Sequence, residues 1–314
     1  MIGYIMRRLA AAVPVLLMVS LLAFLLMQIV PGDPAYAMAG SDASVTEIEA
    51  IRHDLGLDRA WYLRLADWYL ALLRGDLGHS YTLRADVADL IIERIPVTLS
   101  IALYSLLIAI PCSIAMGIVA ARFRGKLIDL GIMTTALLGV SLPNFWIGIM
   151  GILFFSVHLG WLPSGGYVPM GEDIGGWIRS MTLPALVLGT MQIGLLTRIT
   201  RSEMLDIMHK DYVRTARAKG GSELRVLVRH ALRNALVPIV TVIGLLFGMI
   251  VTGAVVVEQV FSIPGVGRLI VQAILTRDYP LIQGTLLFVA GAFVLINLLV
   301  DISYAYLDPR IRQA

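Results

Sequence analysis

The groups through which this 314-residue chain could ligate a metal, activate a nucleophile or relay protons are five histidines, one cysteine and 22 carboxylates. Their spacing supports none of these reactions. His53, His79, His158, His209 and His230 are scattered, and no pair is spaced for metal ligation on one helix. No His-Glu-x-x-His or Gly-x-Ser-x-Gly motif occurs. The single Gly-Lys step, Gly125-Lys126, lacks the spacing and context of a phosphate-cradling loop. Cys112 stands alone in an apolar run, which excludes an internal disulfide and a thiolate zinc cluster and predicts a small buried hydrophobe. The chain carries no catalytic constellation.

A different pattern lies at Asp211-Tyr-Val-Arg-Thr-Ala-Arg-Ala-Lys-Gly220-Gly221. Read as a helix, Val213, Ala216 and Gly220 share a small-residue face, and Lys210, Arg214 and Arg217 form a basic stripe. Gly220-Gly221 fits a helix stop. A short helix with a smooth face lets another protein's backbone approach closely. The plainer reading is a basic loop on the cytoplasmic side of a membrane protein.

The elements that hold this segment follow from composition. The chain is 58% hydrophobic and 15% charged, with a mean hydropathy of +0.82, against about 25% charged residues in an ordinary soluble domain. A soluble enzyme, a disordered chain and a secreted disulfide scaffold are excluded. Six runs free of Asp, Glu, Lys and Arg approach or exceed the about 20 residues that cross a bilayer as helix: 9–32, 95–121, 130–161, 181–197, 235–257 and 279–300. None alternates with period two, so helices are favoured over a membrane barrel. The fourth run is short and is expected to continue past Arg198 into the cytoplasm. The third is too long for one straight span, and Pro143 predicts a kink or a helix start near Ser141–Asn144. The polar groups of Ser141 and Asn144 sit in an otherwise apolar run. Broken backbone at membrane depth must face protein or a water-filled cavity, so Ser141, Asn144 and Trp146 are candidates for a translocation path; a kink that only aids packing is the alternative.

The first run resembles a signal peptide in having Arg7 and Arg8 ahead of it and Ala35-Tyr36-Ala37 after it. Its apolar stretch is long for that role, and an uncleaved helix is expected. With the N-terminus inside, cytoplasmic segments hold 16 basic and 7 acidic residues, a net charge of +9. External segments hold 9 basic and 15 acidic residues, a net charge of −6. The positive-inside rule then puts both termini in the cytoplasm. Topology therefore accounts for the pI of 9.1, and nucleic acid is not an expected partner.

Two connections are long. In the external segment, a short helix is expected over 46–55 with Thr46 or Ser44 as its cap. Trp61, Leu65, Trp68 and Leu72 mark one face of an amphipathic helix over 61–73, suited to the membrane surface, to the span ends or to an extracytoplasmic partner. The cytoplasmic connection, 198–234, carries the basic segment. Asp129, Arg198, Glu258 and Asp301 lie at or beyond span ends, which argues against a proton-coupled carrier. A polytopic chain without energy chemistry but with a cytoplasmic docking loop suggests an engine on another polypeptide.

At that loop the chain resembles the membrane subunits of bacterial ABC importers of the dipeptide/oligopeptide/nickel family. Arg214-Thr-Ala-Arg-Ala-Lys-Gly220 followed by Arg229-His-Ala-Leu-Arg-Asn-Ala-Leu-Val-Pro238 is similar to that family's form of the importer Glu-Ala-Ala-x-x-x-Gly loop, with Arg214 at the Glu position. Further matches are Pro31-Gly-Asp-Pro34, Gly75-Asp-Leu-Gly78, Ser141-Leu-Pro-Asn-Phe-Trp146, Phe261-Ser-Ile-Pro-Gly-Val-Gly267, Arg277-Asp-Tyr-Pro280 and Asp308-Pro-Arg-Ile-Arg312. One departure is Arg84-Ala-Asp-Val87, where the family often has Pro-Val.

The resemblance implies an all-α polytopic fold of the type I importer class with six transmembrane helices. These divide into an N-terminal helix over 1–32, an extracytoplasmic segment over 33–94 and a core permease domain over 95–314. It implies that Tyr212, Val213, Arg214, Thr215, Ala216, Arg217, Ala218, Lys219 and Gly220 form a coupling helix seated on an ATPase. The implied partners are a homologous second permease in a heterodimer, two cytoplasmic ATPases and an extracytoplasmic solute-binding protein, all at a bacterial inner membrane. No cofactor is expected on this chain, since ATP and magnesium would sit on the ATPases. Short peptides are the expected cargo, with nickel or glutathione as alternatives. A membrane-embedded enzyme and an ion-coupled carrier are the readings from other classes.

Overall fold

The computed structural model describes residues 2–29, 35–36, 43–54, 56–220 and 222–307. Among them the secondary structure is helical, with one isolated antiparallel bridge between His79 and Asp86. In chain order the helices are α1 (Ile2–Ile29), α2 (Val45–Asp54), α3 (Trp61–Leu73), α4 (Val87–Arg122), α5 (Leu127–Ser141), α6 (Asn144–Gly151), α7 (Ile174–Met208), α8 (Asp211–Ala218), α9 (Arg233–Val260), α10 (Val266–Thr276) and α11 (Tyr279–Leu307). A π-helical stretch, Ile152–His158, prolongs α6, and another, Val226–Leu232, leads into α9.

Four stretches are long and apolar enough to cross a bilayer unbroken: Met6–Leu25, Val87–Arg122, Ile174–Met208 and Tyr279–Val300. Two bent pairs, Leu127–Ser141 with Asn144–His158 and Val226–Leu236 with Pro238–Ile250, bring the total to six when each is one span. The fourth sequence run does continue, since α7 passes Arg198 to Met208. The third breaks where Pro143 sits, with 106° between its halves. The steric reason is local. A residue before proline is pushed out of the α region, and Leu142 is extended at φ −83°, ψ 134°. Pro143 then precedes the first turn of α6, its carbonyl accepting from the Ile147 amide at 3.1 Å.

The described chain forms two compact units, one of residues 1–97 with 264–298, the other of 98–263 with 299–314. In the first, Val87, Leu90 and Ile91 of α4 pack with Leu269 and Ala273 of α10 and with Leu281 and Ile282 of α11. Ser44, not Thr46, caps α2: the Glu47 amide donates to Ser44 Oγ at 3.3 Å, and the Ser44 amide returns a bond to Glu47 Oε2 at 2.8 Å. This reciprocal pair satisfies helix-end donors that would otherwise be orphaned, and the bonds from Ser44 hold the exposed Glu47 carboxyl below its ordinary pKa. Helix α3 spans the expected 61–73. It turns Trp68 onto Phe24 of α1, ring centroids 6.2 Å apart, and Tyr69 toward Ser20, 2.9 Å between hydroxyls. Trp61, on the same face at the start of the helix, is 52% exposed.

In the second unit α7 is the central element, packed on α5, α6 and α9. Close approach depends on glycine: a Cβ at Gly194 of α7 would overlap the Ala136 carbonyl oxygen of α5. The lower part of the core joins Leu196 and Met204 of α7 to Leu227, Ala231, Ala235, Ile239 and Leu246. Cys112 is exposed on α4, contrary to the expectation of a buried side chain. An apolar thiol on a membrane span needs no protein cover, because lipid supplies the apolar surroundings.

Candidate functional site: a short helix on an anchored platform

Helix α8 has the length its sequence predicts. Lys210 enters extended, and Asp211 begins the first turn. The stop is also as expected: Gly220 takes φ +81° and its amide donates to the Arg217 carbonyl at 2.9 Å. A side chain at that left-handed φ costs about 1–2 kcal/mol, which glycine avoids.

The face exposed by α8 differs from the sequence expectation. Val213 is fully buried and Ala216 half-buried, with α8 packed on the Val226–Leu232 stretch and on α7. Val213 therefore anchors the helix to its own chain and is not available to a partner. The correction has a simple cause. A small apolar stripe marks the face that approaches something, and the nearest apolar surface belongs to the same polypeptide. The exposed residues are Asp211, Tyr212, Arg214, Thr215, Ala218 and Lys219, with Gly220 beyond the last turn.

The basic stripe is also divided. Arg217 folds back on Glu223, Nη2 to Oε1 at 2.8 Å and Nε to Oε2 at 3.2 Å. These bonds hold the Glu223 carboxyl below its ordinary pKa against an opposing effect of burial. Their stabilisation is present above the ordinary glutamate range and fades as pH falls through the lowered value. Arg214 has only a 3.8 Å approach to Asp211, both exposed. Thus Lys210, Arg214 and Lys219 present positive charge outward while Arg217 closes the turn.

The platform contains an ion pair that one-dimensional periodicity did not reveal. Asp129, 7% exposed at its side chain, receives Arg201 Nε at 2.6 Å and Nη2 at 2.7 Å. Asp129 Oδ2 also accepts the Gly125 amide at 2.9 Å. This bidentate lock ties the turn before α5 to α7, ten residues ahead of α8. Elsewhere Glu258 is fully buried near the end of α9 and accepts Thr98 Oγ1 at 2.7 Å. Both carboxylates lie near helix ends as expected, but neither faces water.

At the break, Ser141, Asn144 and Trp146 do not converge. Asn144, Gly148 and Gly151 lie along one side of α6. A Cβ at Gly148 would meet Val260 and Phe261, and one at Gly253 of α9 would sit 3.7 Å from Asn144 Nδ2. Trp146, two residues on from Asn144 and 45% exposed, projects from a different side. Ser141 is exposed at the end of α5. Among the described residues no three His, Cys, Asp or Glu side chains group as a metal site would require.

Long apolar helices, two of the spans broken, with a short cationic helix held at the surface by its own apolar anchor, define a multi-pass helical membrane protein. The chain belongs to the family of inner membrane components of binding-protein-dependent transport systems: that family's profile matches residues 113–313, and the profile of its N-terminal region matches residues 1–102. The chain is 52% identical over 312 residues to a putative peptide transport system permease protein of Brucella abortus (strain 2308), covering 99% of each. It is 41% identical over 334 residues to the di/tripeptide transport system permease protein DppB of Pseudomonas aeruginosa (strain UCBPP-PA14), covering 100% of this chain and 99% of the relative. It is 43% identical over 312 residues to the glutathione transport system permease protein GsiC of Escherichia coli O6:H1, covering 99% of each. It is therefore a permease subunit of the bacterial inner membrane.

Proposed function

We propose that this chain forms half of the translocation pathway of an ATP-driven importer for short peptides. A solute-binding protein delivers the cargo, a homologous second permease completes the pathway, and two ATPases bind from the cytoplasm. This chain binds no cofactor and catalyses no reaction; ATP and magnesium sit on the ATPases. The observation that carries the reading is α8, a cationic helix whose inner side is fixed by Val213 while Tyr212, Arg214, Thr215, Ala218 and Lys219 remain exposed. Peptide cargo is supported by the names of the Brucella and Pseudomonas relatives. A second cargo, glutathione, is supported by the Escherichia relative, and glutathione is itself a short peptide. Ser141 and Asn144, at the broken span, are proposed to lie near the pathway, with Trp146 on a separate side.

The test is uptake and co-purification in the assembled importer. Ala218→Asp puts an acid on an exposed position, so insertion and thermal stability should be unchanged. At a contact with the ATPase it buries an unpaired charge, at a cost on the order of several kcal/mol. ATPase recovery should fall at least about tenfold, because about 1.4 kcal/mol is a factor of ten, and peptide uptake should fall with it. Gly220→Trp should act similarly by straining the helix stop, while Ser222→Ala should be mild. Normal recovery and uptake in both variants would remove α8 from the coupling role.

The cytoplasmic placement of both termini is tested by cysteine labelling in a Cys112→Ala background, so that each introduced thiol is the only one in the chain. Ser222→Cys should react with an impermeant maleimide only after permeabilisation, and Ser41→Cys in intact spheroplasts; Ser41 lies outside the described residues. The reverse pattern would invert the topology.

A further inference from the structure

The first unit contains a cleft of about 290 Å³ whose lining includes Phe24, Arg64, Asp67, Trp68, Tyr81 and Gln283. Arg64 and Trp68 lie four residues apart on α3 and therefore share a face. Both carry a buried donor without an acceptor: Arg64 Nε and Trp68 Nε1. Among the described residues no carboxylate pairs with Arg64. Its guanidinium rests over the Phe24 ring, 5.8 Å from the centroid, and Trp68 stacks on the same ring. Nearby Asp67 is engaged by Arg59 at 2.7 Å and does not serve Arg64. Burial raises the pKa of the Tyr81 phenol, which keeps it a hydrogen-bond donor.

A buried guanidinium Nε–H and a buried indole N–H without acceptors are costly unless something fills the role. The missing group is an oxyanion. Its source follows from position. Phe24 lies in the outer part of the apolar run 9–32, and α3, which forms the facing wall, belongs to the segment that follows that run, so the cleft opens toward the membrane boundary. On α1, Leu17, Met18 and Leu22 are exposed at 52%, 64% and 51%, an apolar surface running away from the cleft into the bilayer. On α3, Tyr62, Leu63 and Leu70 are exposed at the same level, the pattern of an interfacial aromatic belt. A ligand matching this arrangement carries an anion at one end and hydrocarbon at the other.

We propose that the cleft is a phospholipid site in which a phosphodiester oxygen accepts from Arg64 and Trp68 Nε1 while the acyl chains lie along α1. Nothing in the transport reading is required for this. The lipid would hold α3 against α1 at the membrane boundary and neutralise Arg64.

The experiment is native mass spectrometry of the assembled importer, purified with its partner subunits and taken through rising detergent concentration. The wild type should retain phospholipid at detergent levels that strip the surrounding annulus. Arg64→Gln should lower that occupancy about tenfold, since hydrogen bonds to a charged group are the strong ones. Trp68→Phe keeps the ring, removes the N–H and should lower occupancy about threefold. Arg74→Gln, an exposed change outside the lining, should have no effect. Parallel arms offer inorganic phosphate and N-acetyl-dialanine to the delipidated complex. Saturable, Arg64-dependent binding of either without lipid retention would make the cleft a free-anion site and overturn the proposal. Equal lipid retention in Trp68→Phe and Arg74→Gln would also overturn it, and that comparison stands even if Arg64→Gln fails to assemble.

Discussion

Asp129→Ala is expected to lower the melting temperature of the purified importer's permease by roughly 5–10 °C and to abolish most uptake. The Asp129 side chain is 7% exposed and that of Arg201 26%, and their bond is bidentate. Removing one partner of a fully buried pair costs about 3–5 kcal/mol; with Arg201 keeping 26% exposure, about 2–3 kcal/mol is expected, because a half-buried charge is left unmatched. The Gly125 amide would lose its acceptor as well. Replacing both partners together, as in Asp129→Asn with Arg201→Gln, removes the stranded charge and should recover at least half of the lost stability. The functional consequence is positional. Arg201 lies on the end of α7 that leads directly into α8, so loosening it frees the platform on which α8 sits. A single variant with a melting temperature within 1 °C of wild type would show that the pair is dispensable.

Asp278→Ala is the second change with a large expected effect. Asp278 is fully buried, and its Oδ2 accepts Ser80 Oγ at 2.6 Å, Thr82 Oγ1 at 2.7 Å and the Thr82 amide at 2.9 Å. Its Oδ1 receives the Leu281 amide at 3.3 Å and so caps α11. The preceding residue, Arg277, is left-handed at φ 55° and ends α10, which fixes where Asp278 must stand. Alanine would leave two hydroxyls and an amide without their acceptor, at about 1–3 kcal/mol for each buried donor that water cannot reach, besides about 1 kcal/mol for the lost cap. The loop from Gly75 to Asp86 should come free of the α10–α11 junction. Hydrogen exchange at the Thr82 amide should accelerate by about a hundredfold or more, and proteolysis should shift to that loop. Asp278→Asn retains an acceptor oxygen and should be intermediate. Unchanged exchange at Thr82 would refute the assignment of Asp278 as the hub.

Much of the architecture follows from local rules that act along the chain. The apolar runs had to become spans because an uncharged stretch of that length has no stable place in water. Leu142 had to leave the helix because Pro143 follows it, and Gly220 had to end α8 because only glycine takes φ +81° without strain. Ser44 and Glu47 stand at the spacing of a capping box, so α2 could start there. Those features involve residues a few positions apart, and their physics is complete within one turn.

The tertiary structure decided which face of each helix meets which neighbour. Val213 carries the small apolar character of a contact face, but only packing against the Val226–Leu232 stretch and α7 makes that contact internal and leaves Tyr212, Arg214 and Ala218 outside. Helix α10 emerges over 266–276 although its sequence is too short for a span, because Leu269 and Ala273 find cover on α4 and α11. Asp129 with Arg201, separated by 72 positions, and Ser80 with Asp278, separated by 198, leave no periodic trace in the sequence. A charge near a span end reads as solvated when only its neighbours in sequence are known. It becomes a buried lock when folding brings an arginine or a pair of hydroxyls to it from far along the chain, and that choice is made by three-dimensional packing and the cost of leaving a buried polar group unpaired.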